Sequence, residues 1–210
     1  GSVSMKCSVK VTNKEIGYIG DLSTDLGSIN LNAGAKLNKE RNIVDLTGII
    51  KTAGFSLGKL LSKTAIIGDV ALDATMSVSL QKGKWVGGKI NGRIPNVELK
   101  QYRYSDIKAD VAFDRSHYSG SVSIEDKTAM AQIDGELLLD GSNSTFSINA
   151  QVDKVDLNAI NIIKSYQGHS LALTLYAEFI GDKLDNSTGE LFVSDIKFVN
   201  GNEEGIHVNN

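Results

Sequence analysis

From Tyr118 to Val152 apolar and polar side chains alternate almost without a break, in "YSGSVSIEDKTAMAQIDGELLLDGSNSTFSINAQV". Successive side chains of a β-strand point to opposite faces, so a period of two makes strands with one apolar face. Such a face has to meet another layer. Helices to supply that layer are scarce in this chain, and that shortage restricts what it can fold into.

The same period runs through most of the sequence. Val70, Leu72, Ala74, Met76, Val78 and Leu80 share one side of "GDVALDATMSVSL", and Val86, Gly88, Ile90, Gly92 and Ile94 share one side of "VGGKINGRI". Ile107, Ala109, Val111 and Phe113 follow, then Tyr118, Gly120, Val122 and Ile124, then Ala131, Ile133, Gly135 and Leu137. Phe146, Ile148, Ala150 and Val152 form the next set, then Leu171, Leu173, Leu175, Ala177 and Phe179, and finally Leu191 and Val193. Ile29, Leu31, Ala33, Ala35 and Leu37 fit the rule nearer the start, whereas Trp85, beside Val86, falls on the outer face. Turn signals at "LQKGKW", "FDRSHY", "DGSNS" and "GDKLDNS" separate the runs. Such short connections favour an antiparallel meander of about ten to twelve strands. Only "FSLGKLLS" and "VDLNAINIIKSY" break the period. Each predicts a short helix, the second starting on Asp156 as N-cap and ending at Gly168. A shift of 101 residues lays Leu72 on Leu173, Gly88 on Gly189 and Ile90 on Leu191, a faint internal repeat.

Composition removes several function classes. The net charge is −3 with no block of Lys or Arg, so the basic stripe of a nucleic-acid binder is missing. The single cysteine, Cys7, excludes an intrachain disulfide. No apolar run reaches the roughly 18–20 residues of a spanning helix. Gly1-Ser2 reads as a cloning remnant, residues 3–200 as one β-groove domain and 201–210 as a polar tail. The whole reads as a piece of a longer protein.

Inward positions are rich in small residues: Ala74, Gly88, Gly92, Ala109, Gly120, Ala131, Gly135, Ala150 and Ala177. A sandwich about 10 Å thick needs larger fillers, so small residues leave volume on that side; they also permit bends. Two architectures satisfy the pattern. The sheet either closes on itself as a sandwich or barrel, or curls into a long open trough with an apolar interior and at most two short helices.

The order of motifs resembles the repeat region of the TamB proteins, in the AsmA-like superfamily. It runs from a strand at Gly88–Ile90 through Tyr102, Tyr104 and Asp106-Ile107 to "YSGSVSIED", closed by Asp126. Asp134-Gly135 and "VDKVDLNAI" complete it, and "FSLGKLL" resembles another recurring piece. The likeness covers roughly residues 43–200. "DKTAM" departs from the family in lacking the Asn that often follows the closing Asp. The resemblance implies a periplasmic β-groove (a β-taco) of Gram-negative type. Parts outside this chain would anchor it in the inner membrane and reach a BamA-like outer-membrane partner. It also implies a phospholipid or other acyl-chain ligand moving between the two membranes.

On that reading the lipid-facing residues are Val70, Leu72, Met76, Val78, Val86, Ile90, Ile107, Val111, Phe113, Val122 and Ile124. In the second half they are Ile133, Leu137, Phe146, Ile148, Leu171, Leu173, Leu175, Phe179, Leu191 and Val193. No catalytic, metal or cofactor site is expected. His117, His169 and His207 stand apart in the sequence and read as solvent-exposed turn or tail residues. Asp106, Asp110, Asp134 and Glu136 read as solvated face charge. Two further functions stay open: a scaffold that offers strand edges to outer-membrane proteins during assembly or secretion, and a closed sandwich acting as a binding module.

Overall fold

A computed structural model describes residues 3–12, 15–38, 40, 42–165, 168–181, 187–200 and 207–208. It is all-β, with one sheet of thirteen strands in chain order and every recorded pair antiparallel. The first six strands are β1 (Val3–Val11), β2 (Glu15–Thr24), β3 (Gly27–Asn38), β4 (Ile43–Ser56), β5 (Ile67–Gln81) and β6 (Lys84–Leu99). The next six are β7 (Tyr102–Asp114), β8 (His117–Glu125), β9 (Ala129–Leu138), β10 (Thr145–Val155), β11 (His169–Ile180) and β12 (Thr188–Asn200). The thirteenth, β13 (His207–Val208), has two residues and lies within 201–210, the segment read as a polar tail. The sheet is open: β1 and β13 stand at its two ends.

The turns explain the meander. Lys82 and Gly83 both have positive φ, 52° and 75°, the geometry of a two-residue type I′ hairpin turn. Lys100 and Gln101 do the same at 49° and 66°, although neither residue type advertises such a turn. The turn expected at "GDKLDNS" lies mostly outside the described residues.

The two breaks in periodicity differ. Leu57–Leu60 is a four-residue helix, α1. A Cβ on Gly58 would come within 1.7 Å of the Ile67 carbonyl oxygen, so only glycine fits that turn. The second expected helix does not form. Asp156 Oδ1 does accept from the backbone N–H of Asn158 and Ala159, at 3.1 and 2.9 Å, as a cap would. The chain completes one turn, Ile160 N–H to the Asp156 carbonyl at 3.1 Å, and then Asn161 enters the left-handed region at φ 60°. Asparagines and β-branched isoleucines are weak helix formers, and an αL residue ends the run.

Contacts divide the chain into two compact units, Gly1–Arg103 with Lys108–Arg115, and Tyr104–Ile107 with Ser116–Asn210. Their topologies repeat, β1–β6 matching β7–β12. The register slip between Ala71 and Asp73 in β5–β6 recurs between Ala172 and Thr174 in β11–β12, 101 residues later. The slip between Thr52 and Phe55 in β4–β5 recurs between Val152 and Val155 in β10–β11, 100 residues later. Strands β2 and β3 begin at Glu15 and Gly27, and β8 and β9 at His117 and Ala129, a spacing of 102.

In the first unit the polar face carries one transverse row, Lys6–Asp21–Asn30–Lys51–Asp73–Arg93, across six strands. Lys51 Nζ reaches Asp73 Oδ2 at 2.8 Å and Asn30 Nδ2 donates to Asp21 Oδ1 at 2.8 Å. Exposed pairs of this kind contribute about 0–1 kcal/mol each, so the row fixes register more than stability.

In the second unit one buried anion closes the β8–β9 turn. Asp126 is 3% exposed. One carboxylate oxygen accepts from Ser105 N–H (3.0 Å) and Oγ (2.8 Å), the other from Thr128 N–H (2.9 Å) and Oγ1 (2.7 Å). It thereby ties β7 to the turn. Burial, and then the Asp126 carboxylate, push the nearby Tyr104 phenol above its usual pKa of 10.0.

Two outcomes follow. Asp126→Ala orphans the Ser105 and Thr128 backbone donors and should cost about 3 kcal/mol in urea unfolding, with an unchanged m-value. Tyr104 favours its neutral form more when folded. Its contribution is therefore complete below pH 10.0 and is lost as pH rises through the folded pKa. Alkaline melts should show this loss in the parent, and Tyr104→Phe should lack that share of it.

Candidate functional site

Directly paired residues share a face, so the register shows which apolar side chains meet. In the first unit three rows cross β2 to β6: Ile16–Ala35–Leu46–Val78–Gly88, Tyr18–Ala33–Gly48–Met76–Ile90 and Gly20–Leu31–Ile50–Ala74–Gly92. In the second unit three rows cross β8 to β12: Tyr118–Leu137–Phe146–Phe179–Gly189, Gly120–Gly135–Ile148–Ala177–Leu191 and Val122–Ile133–Ala150–Leu175–Val193. Ile124–Ala131–Val152–Leu173 adds a shorter fourth.

The rows gather most of the residues expected to meet lipid. The remainder sit at slips or on β7. Val70 pairs with Phe55 and Val97, Leu72 with Thr52, and Leu171 with Val155 and Phe198. Val86 is the extra residue where Ser79 faces Gly87 but Leu80 faces Trp85. That slip corrects the outward placement of Trp85, which pairs with Leu80 of the apolar set. Ile107, Val111 and Phe113 occupy alternate positions of β7.

Little covers this face. Among the described residues only nine hydrophobic ones are buried, five of them alanine, and no side chain falls below 2% exposure. A core residue of a closed fold touches other residues on every side; among the described residues of either unit no second layer lies over the apolar rows. Val78 and Ile107 are the only expected lipid-facing residues that are buried. Ile90, Val111, Phe146 and Leu191 are exposed, Leu191 at 60%. The rest are half-buried, shielded by their neighbours in the rows.

Strands β1 to β4 contribute apolar residues absent from the expected set, among them Val9, Ile16, Tyr18, Leu46 and Ile50. The signal was present: "VSMKCSVKV" and "EIGYIGDL" alternate as the later strands do.

The polar residues singled out in the sequence take the following places. His117 is half-buried in β8, with Nε2 2.5 Å from Glu136 Oε1. His169 is half-buried in β11, its ring 5.1 Å from that of Phe198. Both correct the expectation of exposed turn residues, for strand pairing sets a partner beside each; His207 lies in β13. Asp110 accepts from Asn91 Nδ2 at 2.6 Å, and Asp134 sits near Gln132. Among the described residues no three His, Cys, Asp or Glu side chains are grouped to hold a metal ion. A shallow cleft of about 410 Å³ is lined by Asp21, Asn30, Lys51 and Asp73 with Ile29 and Leu72. It follows the charged row, not the apolar rows.

A paired substitution tests the sidedness. Gln132 is exposed opposite Ser123 and Gln151, whereas Ile133 is half-buried opposite Val122 and Ala150. Gln132→Glu should stay within about 0.5 kcal/mol of the parent. Ile133→Glu should cost about 1–2 kcal/mol and remain folded, because solvent reaches the charge. Unfolding by Ile133→Glu would point to a closed core.

No family model, curated protein or solved structure matches the chain.

Proposed function

We propose that the chain is a segment of a β-sheet conduit that holds acyl chains, as of a phospholipid, against its open apolar face. The observation that carries this reading is the set of register-aligned apolar rows left without a second layer. Exposed apolar patches beyond a few hundred Å² are rare on soluble proteins and mark interaction sites. A strip of half-exposed Leu, Ile, Val and Phe with no directional polar group suits a ligand that is itself apolar and flexible. Each methylene moved from water to such a strip contributes about 0.8 kcal/mol, so even partial burial of one acyl chain is worth several.

The resemblance to TamB-type repeats supports the same reading and extends it. The segment would then work in the periplasm, within a protein anchored in the inner membrane and reaching an outer-membrane partner of BamA type. The open sheet also removes the support for a closed-sandwich binding module. The role proposed here is carriage, not catalysis.

Protein incubated with phospholipid vesicles, re-purified and extracted into organic solvent should carry phospholipid at near-stoichiometric amounts by mass spectrometry. Ile133→Glu should stay folded yet lose most of that lipid, and Gln132→Glu should keep it. A parent chain that never retains lipid would end the conduit reading.

A further inference from the structure

We propose that the lip of the sheet at the β5–β6 turn holds the phosphate and glycerol end of a bound phospholipid, with Trp85 against the glycerol and the cations of the turn around the phosphate. The inference rests on the acyl-chain reading and adds an orientation to it: the head at this lip, the chains running inward along β5 and β6.

Trp85 is the only tryptophan of the chain, and it is 57% exposed. Alternation alone would put it on the polar face. The slip between Ser79 and Leu80 makes Val86 an extra residue and sets Trp85 opposite Leu80. Bulges re-aim side chains in this way beside functional sites. Trp85 thereby ends the row Leu37–Val44–Leu80–Trp85, the outermost apolar row across β3 to β6 at this end of the strands. Strands β5 and β6 are each paired on both sides within the chain, so Trp85 stands on the face of the sheet and not at an edge strand.

An indole has an apolar body and one N–H donor, and tryptophan gathers where hydrocarbon gives way to head groups. The charges beside it suit the same boundary. Lys82 sits in the type I′ turn and Lys84 follows it, both exposed. No carboxylate among the described residues pairs with either. Arg115, from the β7–β8 turn, donates to Gln81 Oε1 at 3.1 Å and brings a third cation to the lip. Lys84 lies opposite Gln81, on the polar side of the last pair, and its long stem lets the ammonium reach past the end of the ladder. Asp45 and Asp114 flank Ser79 and Gly87 on the polar face, on the other side from Trp85. A phosphate leaving the apolar face at this point meets cations.

The length also fits. From Leu80 to Ala74 the apolar positions of β5 cover about 20 Å at the rise of a strand. The chains of one leaflet span about 15 Å, half of the hydrocarbon core of a bilayer. Val78, Met76 and Ala74, with Gly88, Ile90 and Gly92 opposite, give an acyl chain an uninterrupted apolar path inward from Trp85.

A lone tryptophan reports on its own surroundings. The protein is incubated with phosphatidylglycerol vesicles in which some lipid carries a nitroxide, either near the glycerol or at the chain end. It is then re-purified, and retained lipid is quantified by mass spectrometry. Trp85 emission should shift to the blue on loading, and the label near the glycerol should quench it more than the label at the chain end. Loaded from vesicles of phosphatidylglycerol mixed with diacylglycerol, the parent should be enriched in the phospholipid. Lys82→Glu with Lys84→Glu should lower that enrichment roughly five-fold, while total lipid and the circular dichroism spectrum stay unchanged. Retained lipid with unmoved emission, with stronger quenching from the chain end, or with enrichment indifferent to the two lysines would overturn the orientation and leave carriage standing. Quenching that disappears on re-purification would make Trp85 a contact for the bilayer surface and overturn the proposal. A parent that retains no lipid at all would end both readings.

Discussion

Lateral backbone hydrogen bonding carries this fold, because side-chain burial is too thin to do so. Among the described residues five of the nine buried hydrophobic ones are alanines, which bring little apolar area, while Leu191 and Phe192 lie more than half exposed. A backbone hydrogen bond contributes about 0.5–1.5 kcal/mol net, and a half-covered Leu or Val adds about as much. Stability is therefore spread along strand-to-strand contacts, as in solenoids, where each element depends on its neighbours. Such a sheet tolerates local slips, since a bulge disturbs only two strands. It needs dedicated ties at turns that open toward water, and Asp126 is the clearest of these.

What was legible in the sequence is what a strand decides locally. The period of two placed Val122, Ile133, Leu175 and Val193 on one face, and the structure aligns them in one row. What was not legible depends on neighbours. No residue type announces the slip that turns Trp85 toward Leu80. Lys100-Gln101 makes a type I′ turn without Gly or Asn. Asp156 looked like the start of a helix and does cap a turn, but Asn161 stops it. The four donors to Asp126 come partly from Ser105, a distant strand that sequence spacing does not reveal.

The internal repeat was faint for a definite reason. Its spacing is 102 in β2 and β3, 100 at the β4–β5 slip and 101 in β5 and β6. With a side-chain period of two, an even spacing compared at an odd shift lays apolar on polar. A fixed shift of 101 could match only the last pair of strands, which is where Leu72, Gly88 and Ile90 found their counterparts. The duplication is held in register slips and strand order, which survive small insertions at turns.

The two copies also show which property of the apolar face they share. Gly20–Leu31–Ile50–Ala74–Gly92 corresponds to Val122–Ile133–Ala150–Leu175–Val193. Size changes at most positions: Gly20 gives way to Val122 and Ala74 to Leu175, whereas Ile50 shrinks to Ala150. A face packed against a fixed protein layer resists such changes, because cavities and overpacking each cost kilocalories. Apolar character persists while volume does not. That combination suits contact with something deformable, whose chains adjust to the relief of the surface, and it sets the acyl-chain reading above that of a rigid partner domain.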